Sequence, residues 1–103
     1  MVETLVIRLK EMLGGAFGDR LRCVVLYGSS ARGDATPDSD VDVLVVLQGP
    51  VAFGRDLKTA VDALYPLQLE LLRPIHAMPV DGEDYEAGEF ALLRAAKAEG
   101  IAA

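Results

Sequence analysis

The sequence predicts one compact domain of mixed helices and strands, α/β or α+β, and three observations carry that expectation. Short apolar runs at residues 23–27, 43–47 and 67–75 have the length and the Val/Leu/Ile content of strands. Around them, residues 2–13, 53–64 and 86–99 repeat apolar side chains at helical spacing. The 103 residues hold no low-complexity linker and no internal repeat, so residues 1–103 are expected to fold as a single unit around one core.

Each element has its own local reason. Leu5, Val6, Leu9, Met12 and Leu13 line one face of the first helix, which Gly14 and Gly15 are expected to stop. The first strand covers about residues 22–27. Residues 29–35 suit a short helix opening just after Gly28, and Pro37 prevents its continuation. The strand over 40–47 starts with an alternation that exposes Asp40 and Asp42, then becomes an unbroken Val/Leu run, the pattern of a strand covered on both faces. Gln48-Gly49-Pro50 turns the chain. Leu57, Ala60, Val61 and Leu64 form the stripe of a second long helix, which Tyr65-Pro66 is expected to end. A third strand over 67–75 would put Gln68 and Glu70 on one face and Leu69 and Leu71 on the other. In the last helix, 86–99, Phe90, Leu93 and Ala96 share a side, and Gly100 is the stop.

Composition narrows the function classes. The net charge is −6, there is no Lys/Arg run, and three Tyr and three Phe are the only aromatics, so the footprint of a nucleic-acid binder is absent. An apolar fraction of 51% is high for so short a chain, which implies an apolar face left for a second copy or a helical partner. Cys23 is the single cysteine, which excludes an internal disulfide; within its apolar run it reads as a core residue. No signal segment opens the chain and no apolar run approaches the ~18–20 residues that span a bilayer, so a cytoplasmic protein without membrane contact is expected. Hydrolase-elbow, Walker and dinucleotide-loop motifs are all missing.

The informative stretch is residues 27–47. Gly28, which lacks a Cβ, lets the backbone approach a phosphate closely, and Ser29 adds a hydroxyl donor beside the amides of the following turn. Ser30 and Arg32 belong to the same loop; Arg32 either reaches a phosphate or pairs with Asp34 or Asp38. Asp40 and Asp42 are two apart in a strand, so they share a face with backbones ~6.6 Å apart. Two carboxylates placed so close before a buried run repel each other and lose hydration unless a cation offsets them. Magnesium takes oxygen ligands and completes its shell with water and phosphate, so the face is a candidate platform for a nucleoside triphosphate.

The pattern Gly28-Ser29-Ser30-Ala31-Arg32-Gly33, followed by Ser39-Asp40-Val41-Asp42 and an apolar run, closely resembles the signature of the polymerase-beta-like nucleotidyltransferases, and within them the minimal nucleotidyltransferases, or MNT domains. The resemblance implies the nucleotidyltransferase fold, an α+β domain with a mixed sheet. It implies an Mg2+-dependent transfer of a nucleoside monophosphate, AMP from ATP, to a hydroxyl, with a two-metal site held by Asp40, Asp42 and a third acid from a neighbouring strand. Glu70, the only acid in the third apolar run, is the candidate for that acid, as metal ligand and as general base. It also implies a partner: MNT proteins are commonly paired with HEPN-domain proteins as antitoxin and toxin, some transferring AMP to a tyrosine of the toxin.

Blander readings stand beside these. Gly28-Ser29 can be an ordinary strand-to-helix turn, the aspartates solvated acids at a strand end, and Glu70 a partner of Arg73 or simply an exposed acid. His76, the only histidine, brings no second histidine or cysteine and reads as a surface or core residue. A non-catalytic module that neutralises a partner by contact is the rival to the enzyme. A transferase for a small hydroxylated molecule such as an aminoglycoside ranks last, because it needs a further substrate domain.

Overall fold

A computed structural model of the chain describes residues 2–33, 36 and 39–103, with Val2 described in its backbone alone. Helix α1 (Val2–Phe17) leads through a 3-10 turn (Gly18–Arg20) into strand β1 (Leu21–Tyr27), and a one-turn helix α2 (Ser29–Arg32) follows directly. Strand β2 (Val41–Leu47), helix α3 (Phe53–Leu71) and strand β3 (Ile75–Asp81) come next, then α4 (Gly82–Ala87), α5 (Ala91–Glu99) and the short β4 (Ile101–Ala102).

The sheet has the order β3-β2-β1-β4. β1 runs antiparallel to both its neighbours, whereas β2 and β3 are parallel and joined by the α3 crossover. This is the mixed sheet of an α+β domain. α1 and α3 cover one face, where Leu9, Leu13, Leu64 and Leu67 meet Val24, Leu26, Val43 and Val45. α4 and α5 cover part of the other, where Tyr85, Leu93 and Ala96 meet Val25, Leu44, Val46 and Val80. Within β2 every residue but Asp42 is buried, as the continuous Val/Leu run predicts for a strand covered on both faces.

Several boundaries differ from expectation, each for a packing reason. α1 passes through Gly14 and Gly15 because Leu13 and Phe17 are both buried, and it ends before Gly18, whose φ of 60° takes the chain out of the helix. The single last helix is two, divided at Gly88 with φ 62°; Phe90, expected to pack, is exposed, while Leu93 and Ala96 are buried as expected. Gly100 does cap α5. Cys23 is half-buried rather than in the core. Asp34, Ala35, Pro37 and Asp38 lie outside the described residues, and with them the stop at Pro37 and the alternative partners of Arg32.

The largest correction concerns the expected strand over 67–75. α3 does not end at Tyr65-Pro66; it continues through Pro66 to Leu71. Pro66 is solvent-exposed, and the hydrogen bond it forgoes is outweighed by burying Leu67 and packing Leu71 against the core, where a large apolar side chain contributes ~1.5–3 kcal/mol. The helix closes at Leu72 in the left-handed conformation, with its amide donating to the Gln68 carbonyl at 3.0 Å. Gln68 Oε1 accepts from the Ile75 amide at 2.9 Å, so the strand starts where the expected one ends. Among the described residues no helix is long and apolar enough to cross a membrane.

Candidate active site

The antiparallel β1–β2 ladder places Tyr27 opposite Asp42, which brings the end of one strand, and the Gly28-Ser29 loop after it, against the start of the other. Gly28 has φ 74° and ψ −151°, a conformation that residues with a Cβ rarely adopt. A Cβ added to Gly28 would lie 2.7 Å from Asp42 Oδ2. Glycine is therefore required there twice, by the backbone angle and by the carboxylate seated against its Cα. α2 turns directly from this contact, with the Arg32 amide donating to the Gly28 carbonyl at 3.1 Å.

Alternation along β2 fixes the faces. Val41, Val43, Val45 and Leu47 point to α1 and α3, so Asp42 points with Leu44 and Val46 to the side that α4 and α5 only partly cover. β3 aligns His76 with Asp42 and Met78 with Leu44, so Tyr27, Asp42 and His76 form a row across three strands on that face. His76 Nε2 lies 2.8 Å from Asp40 Oδ2. The Tyr27 hydroxyl is pushed above its ordinary pKa by burial and, secondarily, by the Asp42 charge.

Ser30 is buried, and its Oγ accepts from Arg73 Nη2 at 3.3 Å. Arg73 Nε also donates to the Ser39 carbonyl at 2.8 Å, and the Val41 amide donates to the Pro74 carbonyl at 2.9 Å. Arg73 thus ties the loop helix to the segment carrying Asp40. Beside the loop, a cavity of about 260 Å3 is lined by Tyr27, Gly28, Arg32, Leu92, Ala96 and Glu99. A larger, mostly apolar cleft of about 390 Å3 lies across Leu92, between β3 and Phe90. It holds none of the loop residues, whereas the smaller cavity, although it does not include Asp40 or Asp42, is bounded by Gly28 and Arg32 of the loop.

Gly28, Ser29, Ser30, Arg32, Asp40 and Asp42 thus gather around the β1–β2 end of the sheet. Glu70 does not. It sits near the end of α3, more than half exposed, and pairs with the Arg8 guanidinium of α1, whose second contact measures 3.1 Å. That pairing holds its carboxyl below the usual carboxylate range. Among the described residues no group of three or more His, Cys, Asp or Glu is arranged to hold a metal. The expectation that Glu70 completes an acidic triad is corrected for the reason that moved the strand: the segment is helical, and it lies against α1. The residues missed from sequence are His76 and Arg73. Neither carries a local signal, because their partners lie 36 and 43 positions away.

A four-stranded mixed sheet that seats an Asp-x-Asp strand start against a Gly-Ser loop defines a protein of the nucleotidyltransferase class. The family model described as the nucleotidyltransferase domain matches residues 8–95, and the chain belongs to that family. Its likeness to the minimal nucleotidyltransferases agrees with this. A Methanocaldococcus jannaschii protein with the provisional name protein adenylyltransferase is 44% identical over 34 residues, which cover 33% of this chain and 34% of that protein. The chain therefore matches about a third of that relative's length. A crystal structure of a Sulfolobus solfataricus protein, provisionally described as a nucleotidyltransferase, superimposes with a TM-score of 0.58 over 98% of this chain and 81% of the other, at 21% identity, a likeness of fold.

Proposed function

We propose that the chain transfers AMP from ATP, with Mg2+, to a hydroxyl of a partner protein, and that Asp40 and Asp42 are its metal ligands. The observation carrying this reading is the carboxylate of Asp42 seated against a Cβ-less, left-handed Gly28, with Asp40 two residues ahead of it and in contact with His76 of β3. The donor set suits a hard cation: two carboxylates supply the protein's oxygens and leave the remaining positions to water and the triphosphate. When bound, such a cation neutralises charge on the reacting phosphate and on the pyrophosphate leaving group. Since no group of three or more His, Cys, Asp or Glu among the described residues is arranged to hold a metal, a second cation of a two-metal site would rest chiefly on the triphosphate.

The chain's own residues would do the rest by positioning. Gly28 lets the phosphate tail approach the backbone, Ser29 offers a hydroxyl to it, and Ser30 and Arg73 hold the loop against the Asp40 segment. The cavity of about 260 Å3 is smaller than the ~300–1,000 Å3 of a complete ligand pocket. It would take part of the nucleotide, the remainder lying on the open face above Asp42 and His76.

A partner protein as acceptor is supported by an exposed stripe on α3, Val61, Tyr65 and Leu69, spaced to lie along one side of the helix, with Leu72 at its end and Ile7 of α1 also exposed. A HEPN-type toxin is the partner that the MNT likeness suggests. The pairing of Glu70 with Arg8, away from the aspartates, favours one rival, a module that neutralises its partner by contact alone. Incubation of the pair with ATP and Mg2+ separates them. The enzyme reading expects the mass of AMP on the partner, and Asp40→Asn or Asp42→Asn should lower its appearance at least about a hundredfold while the complex persists. A partner silenced equally well by both variants, with no added mass, selects the contact module.

A further inference from the structure

We propose that His76 is a positioning residue for the metal site: from β3 it holds one oxygen of Asp40 and so leaves the other for the cation. The inference rests on the reading of Asp40 and Asp42 as metal ligands and goes beyond it by assigning His76 a role. Three observations point to it. The parallel β2–β3 register sets His76 directly beside Asp42, on the same face of the sheet. Its Nε2 is 2.8 Å from Asp40 Oδ2. The acid expected at this neighbouring-strand position, Glu70, is engaged by Arg8 instead.

The chemistry of the contact fixes its direction. An ionised carboxylate only accepts hydrogen bonds, so the imidazole Nε2–H donates and Oδ2 is occupied. Asp40 lies just outside β2, without the ladder that fixes Asp42, and its side chain is 48% exposed. Left alone, such a carboxylate samples several rotamers, and each must be given up when a cation binds. Ligating carboxylates are ordinarily held by an outer hydrogen bond of this kind, whose loss weakens metal affinity ~10- to 100-fold. The competing account is an exposed histidine–carboxylate pair that contributes little to folding and nothing to binding.

The two accounts separate in a titration of Mn2+ into the full chain with α,β-methylene ATP, followed by electron paramagnetic resonance of the bound ion. His76→Ala should weaken Mn2+ binding ~10-fold or more. His76→Gln, which keeps a side-chain N–H donor, should recover most of that loss. In an Asp40→Asn background, His76→Ala should have almost no further effect on the residual binding, because His76 acts on the cation only through Asp40. Thermal melting should be nearly the same for all variants, since both side chains are about half exposed or more. Wild-type Mn2+ affinity in His76→Ala overturns the role of His76 while leaving the aspartate site standing. A wild-type chain that binds no Mn2+ with the nucleotide overturns the site and the inference together.

Discussion

Gly28→Ala should cost the protein its nucleotide affinity and about 2–4 kcal/mol of stability at once. The backbone penalty of a Cβ in this left-handed, extended region is ~1–3 kcal/mol. The added methyl would also sit 2.7 Å from Asp42 Oδ2, so that carboxylate or the backbone of the loop must move. Relief comes from turning Asp42 away or from shifting α2, and either moves a group that the triphosphate needs. For a domain of this size, each kcal/mol lowers the melting temperature by ~4–8 °C, so a fall of about 10 °C or more is expected alongside a flat ATP calorimetric titration. An alanine variant that melts like the wild type and binds ATP with Mg2+ equally well would remove the Gly28–Asp42 contact from the site.

The second large effect lies away from the chemistry. Asp56, in the first turn of α3, is 2% exposed and accepts from Arg20 Nη1 at 2.9 Å, Arg20 Nη2 at 3.0 Å and the Ala52 amide at 3.1 Å. Arg20 also reaches the carbonyls of Gln48 and Pro50, so one guanidinium fastens the whole β2–α3 connection. Its hydrogen bonds hold the Asp56 carboxyl below the usual carboxylate range, the Ala52 amide assisting, against the opposing effect of burial. Asp56→Asn should cost about 2–3 kcal/mol at pH 7, less than the ~3–5 kcal/mol of a fully buried pair because Arg20 remains 35% exposed. A depressed carboxyl stabilises the fold above the unfolded value of ~4, and this contribution is lost as the pH falls through the folded value. Urea denaturation should therefore show a gap between wild type and variant that is full at pH 7 and narrows below about pH 4. A gap independent of pH would mean that shape, not charge, is what Asp56 contributes.

What could be read from the sequence was what neighbouring residues decide among themselves. The Gly28-Ser29 loop and the Asp40/Asp42 pair are visible because each is local in the chain, and β2 is visible because residues 43–47, buried on two faces, leave an unbroken apolar run. Pro66 misled for a physical reason. It is a strong local stop, yet the helix stripe continues beyond it in Leu67 and Leu71, and their burial outweighs the local cost. Moving that one boundary carries Glu70 from a strand beside the aspartates to a helix beside Arg8. It also brings His76 from the end of an expected strand into the row of the site. Register between strands so far apart in the chain is set by the crossover helix and the core beneath it, and no local pattern records it.

The site also divides its two acids between unequal supports. Asp42 belongs to a strand laddered on both edges, whereas Asp40 stands outside that ladder, kept near it by an imidazole and by the Arg73 bond to Ser39. In hydrogen-exchange terms the Asp42 amide should open only when the whole domain does, and the Asp40 amide through small local openings. One carboxylate is then a fixed post and the other a latch, so ordering of the metal site would be felt first, as slowed exchange, in the segment leading into β2.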